Sequence, residues 1–212
     1  MPVVVTIDVE FGDHPSTDPH GTLSRICDAL DEYHAPATLF VQGRWARAFP
    51  DLVAEFASRD VTIGLHGYSH VDYRRLSIDG IRAELADGLA ALSDAAPGLE
   101  VRYTRLPYGY GSDDPTICDV LSEAGLTPVG WDFSTFDWDE TLPFEKSLGR
   151  ALGSVSNGGV VMFHSWPDRT PELLRQLLAA AGAAVVELDA VELIGRQRNG
   201  RTIHVERTDP SR

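Results

Sequence analysis

Short apolar, β-branched runs that alternate with segments of helical periodicity constrain this chain more than any other feature. Val3 to Asp8, Ala37 to Val41, Val61 to Leu65, Val101 to Arg105, Pro128 to Trp131, Gly159 to His164 and Ala184 to Leu188 each read as a strand. Helices are expected between them, near 21–33, 43–58, 77–95, 114–124, 144–155 and 171–182. Several have usable boundaries: Pro50-Asp51, Ser77 ahead of Ile81-Arg82, and Gly125 after Glu123-Ala124. Strand and helix in repeated alternation mean an α/β fold with a parallel sheet. About seven strands, nearly every one followed by a helix, suit a barrel, although periodicity alone does not separate a closed sheet from an open one. The segment from Gly12 to Gly21, which contains Pro15 and Pro19, reads as a loop leaving the first strand.

With 212 residues the chain has the length of a single domain spanning 1–212. No stretch approaches the roughly 20 apolar residues that cross a bilayer. Met1-Pro2-Val3-Val4-Val5-Thr6-Ile7-Asp8 lacks a basic start followed by an apolar segment and a cleavage site, so the expected location is cytoplasmic. A formal charge of -14 with no local Lys/Arg cluster argues against nucleic acid and anionic membranes as partners. Cys27 and Cys118, the two cysteines, both fall in helical patterns and read as reduced thiols rather than a disulfide scaffold.

Parallel α/β folds build their sites at strand ends and in the loops that follow. Those places carry a coherent polar set here: Asp8-Val9-Glu10, His66-Gly67-Tyr68-Ser69-His70, Arg105-Leu106-Pro107-Tyr108-Gly109, Trp131-Asp132 ahead of Asp137-Trp138, and His164. His66 and His70 are four apart, so on one helical turn both imidazoles would face one point. Alone the pair also fits capping or core histidines. Joined to carboxylates from other strands it describes two nitrogen ligands and one oxygen ligand, with positions left open for water and substrate. Asp8 and Glu10, two apart on extended chain, share a side and can divide two tasks, one holding a metal and the other accepting a proton from water. Arg105 at a strand end needs a carboxylate partner such as Asp8. His164 emerges from Val160-Val161-Met162-Phe163, where an imidazole can give a proton to a leaving amine.

These segments resemble, in order along the chain, the motifs of the NodB-homology polysaccharide deacetylases of carbohydrate esterase family four. Thr6-Ile7-Asp8-Val9-Glu10 is similar to the first motif, Ala37-Thr38-Leu39-Phe40-Val41 to the second strand, and His66-Gly67-Tyr68-Ser69-His70 to the histidine motif. Arg105-Leu106-Pro107-Tyr108-Gly109, Asp137-Trp138 and Met162-Phe163-His164 resemble the later ones. The likeness runs over roughly residues 2 to 190. It implies a distorted (β/α) barrel of about seven parallel strands. It also implies a hydrolase that removes an acyl group, most simply acetyl, from the nitrogen of an amino-sugar-like small molecule or oligosaccharide.

By that resemblance Glu10, His66 and His70 would hold one divalent ion, with Zn2+ the first choice and Co2+, Ni2+ or Fe2+ alternatives. Asp8 would be the general base and His164 the general acid. Arg105 would tune Asp8, Asp137 would orient His164, and the Tyr108 main-chain N–H would help stabilise the oxyanion. The chain departs from the family pattern twice: Val9 separates Asp8 from Glu10 where adjacent aspartates are usual, and Ser134 stands where an Asp is common, leaving Asp137 or Asp132 to support His164. Among Tyr68, Tyr73, Tyr108, Tyr110, Phe133, Phe136, Trp138 and Trp166, which could form sugar-stacking walls, Tyr108, Trp138 and Trp166 are the expected substrate contacts. Two other readings remain: a hydrolase of a small non-sugar amide or cyclic imide, and a carbohydrate-binding relative without catalysis.

Overall fold

Val3–Val9 forms strand β1 with every residue buried, the state of a parallel strand covered on both faces. The structure, a computed structural model, describes residues 1–11, 19–194 and 204–207. After β1 come α1 (Pro19–Tyr33), β2 (Ala37–Val41), α2 (Gly43–Ala48), α3 (Pro50–Ala57), β3 (Val61–Leu65), α4 (Ile78–Ala95), β4 (Tyr103–Thr104), α5 (Pro115–Glu123) and β5 (Thr127–Pro128). They are followed by β6 (Phe133–Ser134), α6 (Phe144–Asn157), β7 (Gly159–His164), α7 (Thr170–Ala181), β8 (Val191–Ile194) and β9 (His204–Arg207). Seven strands form one sheet in the order β5-β4-β3-β2-β1-β7-β6, and every pairing in it is parallel.

Two hydrogen bonds show that this sheet is curled. Val129 N donates to Thr104 O at 2.8 Å, and Asp132 N donates to Val160 O at 2.9 Å. In a flat sheet β4 and β7 would stand four strand spacings apart, about 19 Å. Three residues of extended chain reach only about 10 Å. The strands must therefore roll into an incomplete barrel, with the chain between β5 and β6 crossing its gap.

Alternation along β1 separates the inside of the barrel from the outside. Val3, Val5, Ile7 and Val9 join the large core shared with the helices. Val4 belongs to a small interior cluster with Phe40, Val129, Val160 and Leu188. Thr6 and Asp8 share the parity of Val4, so the interior runs from apolar at the bottom of β1 to polar at its top. Register puts His164, Asp8, Phe40 and Gly64 in one row across β7, β1, β2 and β3.

Several expected elements differ from those observed. The helix expected at 43–58 is two helices, because Pro50 disfavours helical geometry at Phe49, which adopts φ -132° and ψ 57°. The run 128–131 is no strand of its own: β5 ends at Pro128, and the sheet's final edge strand is Phe133–Ser134. Val101 to Arg105 contributes only Tyr103–Thr104. Ala184 to Leu188 makes a single bridge from Val185 to Val3 instead of a strand. The antiparallel β8–β9 pair has no counterpart among the expected strands. Of the segment expected to be a loop, residues 12–18 lie outside the described residues, whereas 19–21 open α1. Ser77 does cap α4, accepting from Gly80 N at 3.1 Å. No helix among the described residues is long and apolar enough to cross a membrane.

Candidate active site

Asp8, Glu10, His66, His70, Arg105, Asp137 and His164 come together at the C-terminal end of the parallel strands, in two linked groups. Glu10, His66 and His70 form the first: one ligand atom from each lies within 4.8 Å of the others. His66 extends the inward face of β3 two residues beyond Gly64. The expected helical turn between the histidines is absent. Residues 66–70 are an irregular loop, turned by positive φ at Gly67 (65°) and His70 (59°). Convergence of the rings therefore comes from left-handed backbone rather than helical spacing. Of the four non-glycine residues with positive φ among those described, His70, Tyr108 and Phe136 lie in the loops around this site. Such backbone persists only where its surroundings enforce it.

His66 Nδ1 lies 2.8 Å from Arg105 O. A carbonyl only accepts, so Nδ1 carries the hydrogen and the neutral ring turns the lone pair of Nε2 inward. That lone pair meets two further acceptors, Glu10 Oε2 at 3.3 Å and Asp8 Oδ2 at 3.8 Å. Glu10 Oε2 also lies 2.7 Å from His70 Nε2, yet it is buried without a contact that satisfies hydrogen-bond geometry. Acceptors facing one another in a buried site call for a shared cation, either protons or a metal ion. Burial raises the Glu10 carboxyl, but the adjacent His66 and His70 imidazoles outweigh it and hold it well below the usual carboxylate range. Burial lowers His66, and the charges of Asp8 and Glu10 more than reverse this, so its basicity is raised.

Arg105 links this group to the barrel wall. Its Nη1 donates to Asp8 Oδ1 at 2.8 Å, Nε to Val129 O at 3.2 Å and Nη2 to Gly130 O at 2.8 Å. The guanidinium thus satisfies carbonyls where the chain crosses the sheet gap, and it lies over Phe40, 4.3 Å from the ring centroid. Burial pulls its basicity down, and Asp8 opposes that loss.

His164 and Asp137 form the second group. Asp137 Oδ1 lies 2.8 Å from His164 Nδ1, and Oδ2 accepts from His164 N at 2.7 Å and from the Thr170 hydroxyl at 2.7 Å. With Nδ1 engaged, Nε2 is the free ring nitrogen. Burial disfavours the imidazolium, but Asp137, followed by Asp8 and Glu10, pushes the pKa up to about 9. Of the two carboxylates that sequence left open, Asp137 is the one bonded to His164. Asp132 Oδ2 instead accepts from Val160 N at 2.8 Å, at the far end of β7. Thr170 escaped sequence reading because, ahead of Pro171, it looks like an ordinary residue at a helix start.

The aromatic residues divide. Tyr73 belongs to the core, and Phe133 packs against it. Tyr108, Tyr110 and Trp138 are exposed. Tyr108 stands edge-on to His70 with centroids 4.6 Å apart. Trp166 lies 6.2 Å from His164 by ring centroids, and its Nε1 is buried with no hydrogen-bond partner among the described residues.

Comparison with known proteins agrees with this geometry. The family model described as polysaccharide deacetylase matches residues 3–129. The chitooligosaccharide deacetylase of Sinorhizobium fredii is 28% identical over 168 residues, covering 73% of this chain and 77% of the relative. A family 4 carbohydrate esterase from Streptomyces lividans, solved in complex with acetate, superposes with a TM-score of 0.75 at 24% identity, covering 97% of this chain and 98% of its own. A pseudoenzyme of the same esterase family from Bacillus anthracis gives a TM-score of 0.75 at 22% identity, covering 88% of this chain and 62% of its own. At such identities the two structures speak for the fold alone, a (β/α) barrel. The matched segment contains Asp8, Glu10, both histidines and Arg105 within the barrel's first five strands, and on that ground the chain belongs to the polysaccharide deacetylase family.

Proposed function

We propose that this chain hydrolyses the N-acetyl amide of an amino-sugar oligosaccharide, using a divalent ion held by Glu10, His66 and His70. The observation that carries the proposal is the inward-facing lone pair of His66 Nε2 beside a buried Glu10 oxygen that lacks a hydrogen bond. A carboxylate and two imidazoles fit Zn2+ first, while mixed nitrogen and oxygen donors also suit Co2+, Ni2+ and Fe2+. When bound, such an ion supplies Lewis acidity that acidifies water and polarises an acyl oxygen.

The chain's own groups account for the proton movements. Asp8 is held through Oδ1 by Arg105, leaving Oδ2 to take a proton from the attacking water. Oxygen adds to the acyl carbon, and the main-chain N–H of Tyr108 is assigned to the oxyanion that forms. His164 delivers a proton from Nε2 to the nitrogen as the carbon–nitrogen bond breaks, releasing acetate and an amine. Asp137 fixes the His164 tautomer by accepting from Nδ1. Tyr108, Trp138 and Trp166 offer flat apolar faces to a sugar ring.

The Sinorhizobium relative supports chitooligosaccharides as the first substrate class to test. Acetate release should be measured from N-acetylglucosamine and its short oligomers, alongside small non-sugar amides and cyclic imides. We expect turnover of the oligomers to exceed that of every non-sugar compound. Turnover confined to small amides or imides would replace the sugar assignment, and a metal-loaded protein inert to the whole panel would make this chain a non-catalytic relative.

A further inference from the structure

The loop that carries both histidines is tied to the sheet only at its start, where His66 N donates to Val41 O at 3.0 Å, and residues 67–70 belong to no strand or helix, so their shape must be imposed from outside. Two elements do this from opposite sides. Gly43 N donates to Gly67 O at 2.8 Å and Arg44 N to Tyr68 O at 3.0 Å; these are opening N–H groups of α2, which have no partner inside the helix. On the other side Tyr68 N and Ser69 N both donate to Glu84 Oε2, at 3.0 and 2.9 Å. The Ser69 hydroxyl donates to Glu84 Oε1.

Glu84 stands on α4, which packs closely on α2: a Cβ on Gly43 would meet the Tyr68 ring at 2.7 Å and the Gly88 Cα at 2.8 Å. The Glu84 carboxylate makes no ion pair among the described residues, and the loop supplies its three donors. Hydrogen bonds to an ionised acceptor are roughly twice as strong as neutral ones. They hold the two residues directly ahead of His70, whose positive φ needs support from its surroundings.

We infer that Glu84 is a positioning residue for cation binding: by clamping Tyr68 and Ser69 it keeps His70 Nε2 beside Glu10 and presents a preformed ligand set. This inference rests on reading Glu10, His66 and His70 as metal ligands. Partners one shell out from a metal typically change its affinity by about 10- to 100-fold. Sequence gives no hint of this role, because Glu84 sits in a helix among other charged residues and looks like part of a solvated face.

The test is competition between a chromogenic chelator and the metal-free protein for Zn2+ and Co2+. It compares wild type, Glu84→Ala, Glu84→Gln and His70→Ala, with circular dichroism confirming that each is folded at the working temperature. Wild type should take up one ion, and His70→Ala should lose measurable binding. Glu84→Ala should bind about 10- to 100-fold more weakly. Glu84→Gln keeps an oxygen for the two main-chain donors and an amide that can donate to the Ser69 oxygen, so it should stay within about 3-fold of wild type. If Glu84→Ala does not fold, Glu84→Asp, one methylene short of the loop, should bind about 5-fold or more weakly. Wild-type affinity in Glu84→Ala, or in its Asp substitute, would overturn the role of Glu84 while leaving the ligand reading intact. A wild type that takes up no ion, indistinguishable from His70→Ala, would overturn both.

Discussion

His164→Ala should lower kcat on an N-acetylated amino sugar by about 10²- to 10⁴-fold with a much smaller change in KM, the range for losing a general acid. In the proposed mechanism His164 acts only as the nitrogen departs, so its removal would raise the barrier without weakening substrate binding. The proposed role requires the protonated ring. Burial works against that form, but Asp137 first, then Asp8 and Glu10, lift the pKa to about 9. A bound cation would offset part of this lift. Activity should therefore be retained through neutral pH and fall as pH rises through a limb at or below about 9.

Asp137→Asn tests the pairing. It removes the negative charge and leaves one oxygen in place of two, so that either His164 Nδ1 or His164 N faces an NH2 group where it now has an acceptor. The basic limb should move to lower pH and kcat should fall with it. A pH–rate profile unchanged in Asp137→Asn would remove His164 from the proton-transfer step.

Arg105→Leu should cost about 3–5 kcal/mol of stability, the loss seen when one partner of a buried ion pair is removed. Three bonds disappear together: Asp8 is left as an unpaired buried charge, and the carbonyls of Val129 and Gly130 lose their donor where the barrel is open. For a chain of this size, that corresponds to a fall in Tm of about 6–20 °C. Arg105→Lys should rescue little, because a single ammonium cannot reproduce the planar fork that spans three acceptors. Urea unfolding of Arg105→Leu, Asp8→Leu and the double variant would give the coupling between the two residues. A double-variant loss smaller than the sum by about 1–3 kcal/mol is expected. Strict additivity would mean that the two side chains do not act as a pair.

The parts of the fold legible in sequence were those specified by local pattern. β1, β2, β3 and β7 are continuous apolar runs and need no context to be read as buried parallel strands. β5 and β6, two residues each, carry no such pattern. They exist because the curled sheet brings their backbones to β4 and β7, a consequence of closure that no window of sequence contains. Phe49 shows the reverse: Pro50 carries a local signal for a break, and the helical period on either side masks it.

The site divides in the same way. The two-residue period of a strand puts Asp8 and Glu10 on one side, and the end of a strand is where His164 stands. The spacing of His66 and His70 predicts a shared helical face, whereas their rings meet through positive φ at Gly67 and His70. Their spacing signalled proximity without signalling shape. Arg105's bonds to the Val129 and Gly130 carbonyls, Thr170's bond to Asp137 and Glu84's clamp on the histidine loop are all long-range contacts of ordinary residue types. No spacing rule distinguishes them.

The measurement that bears most directly on this account is metal content and acetate release determined on the same samples of wild type, Glu10→Gln and His66→Ala. Wild type should carry one divalent ion per chain, lose acetate release on chelation and regain it when the ion is restored. Both variants should lose the ion and the activity together. Acetate release that persists in chelated wild type and in His66→Ala would contradict the account.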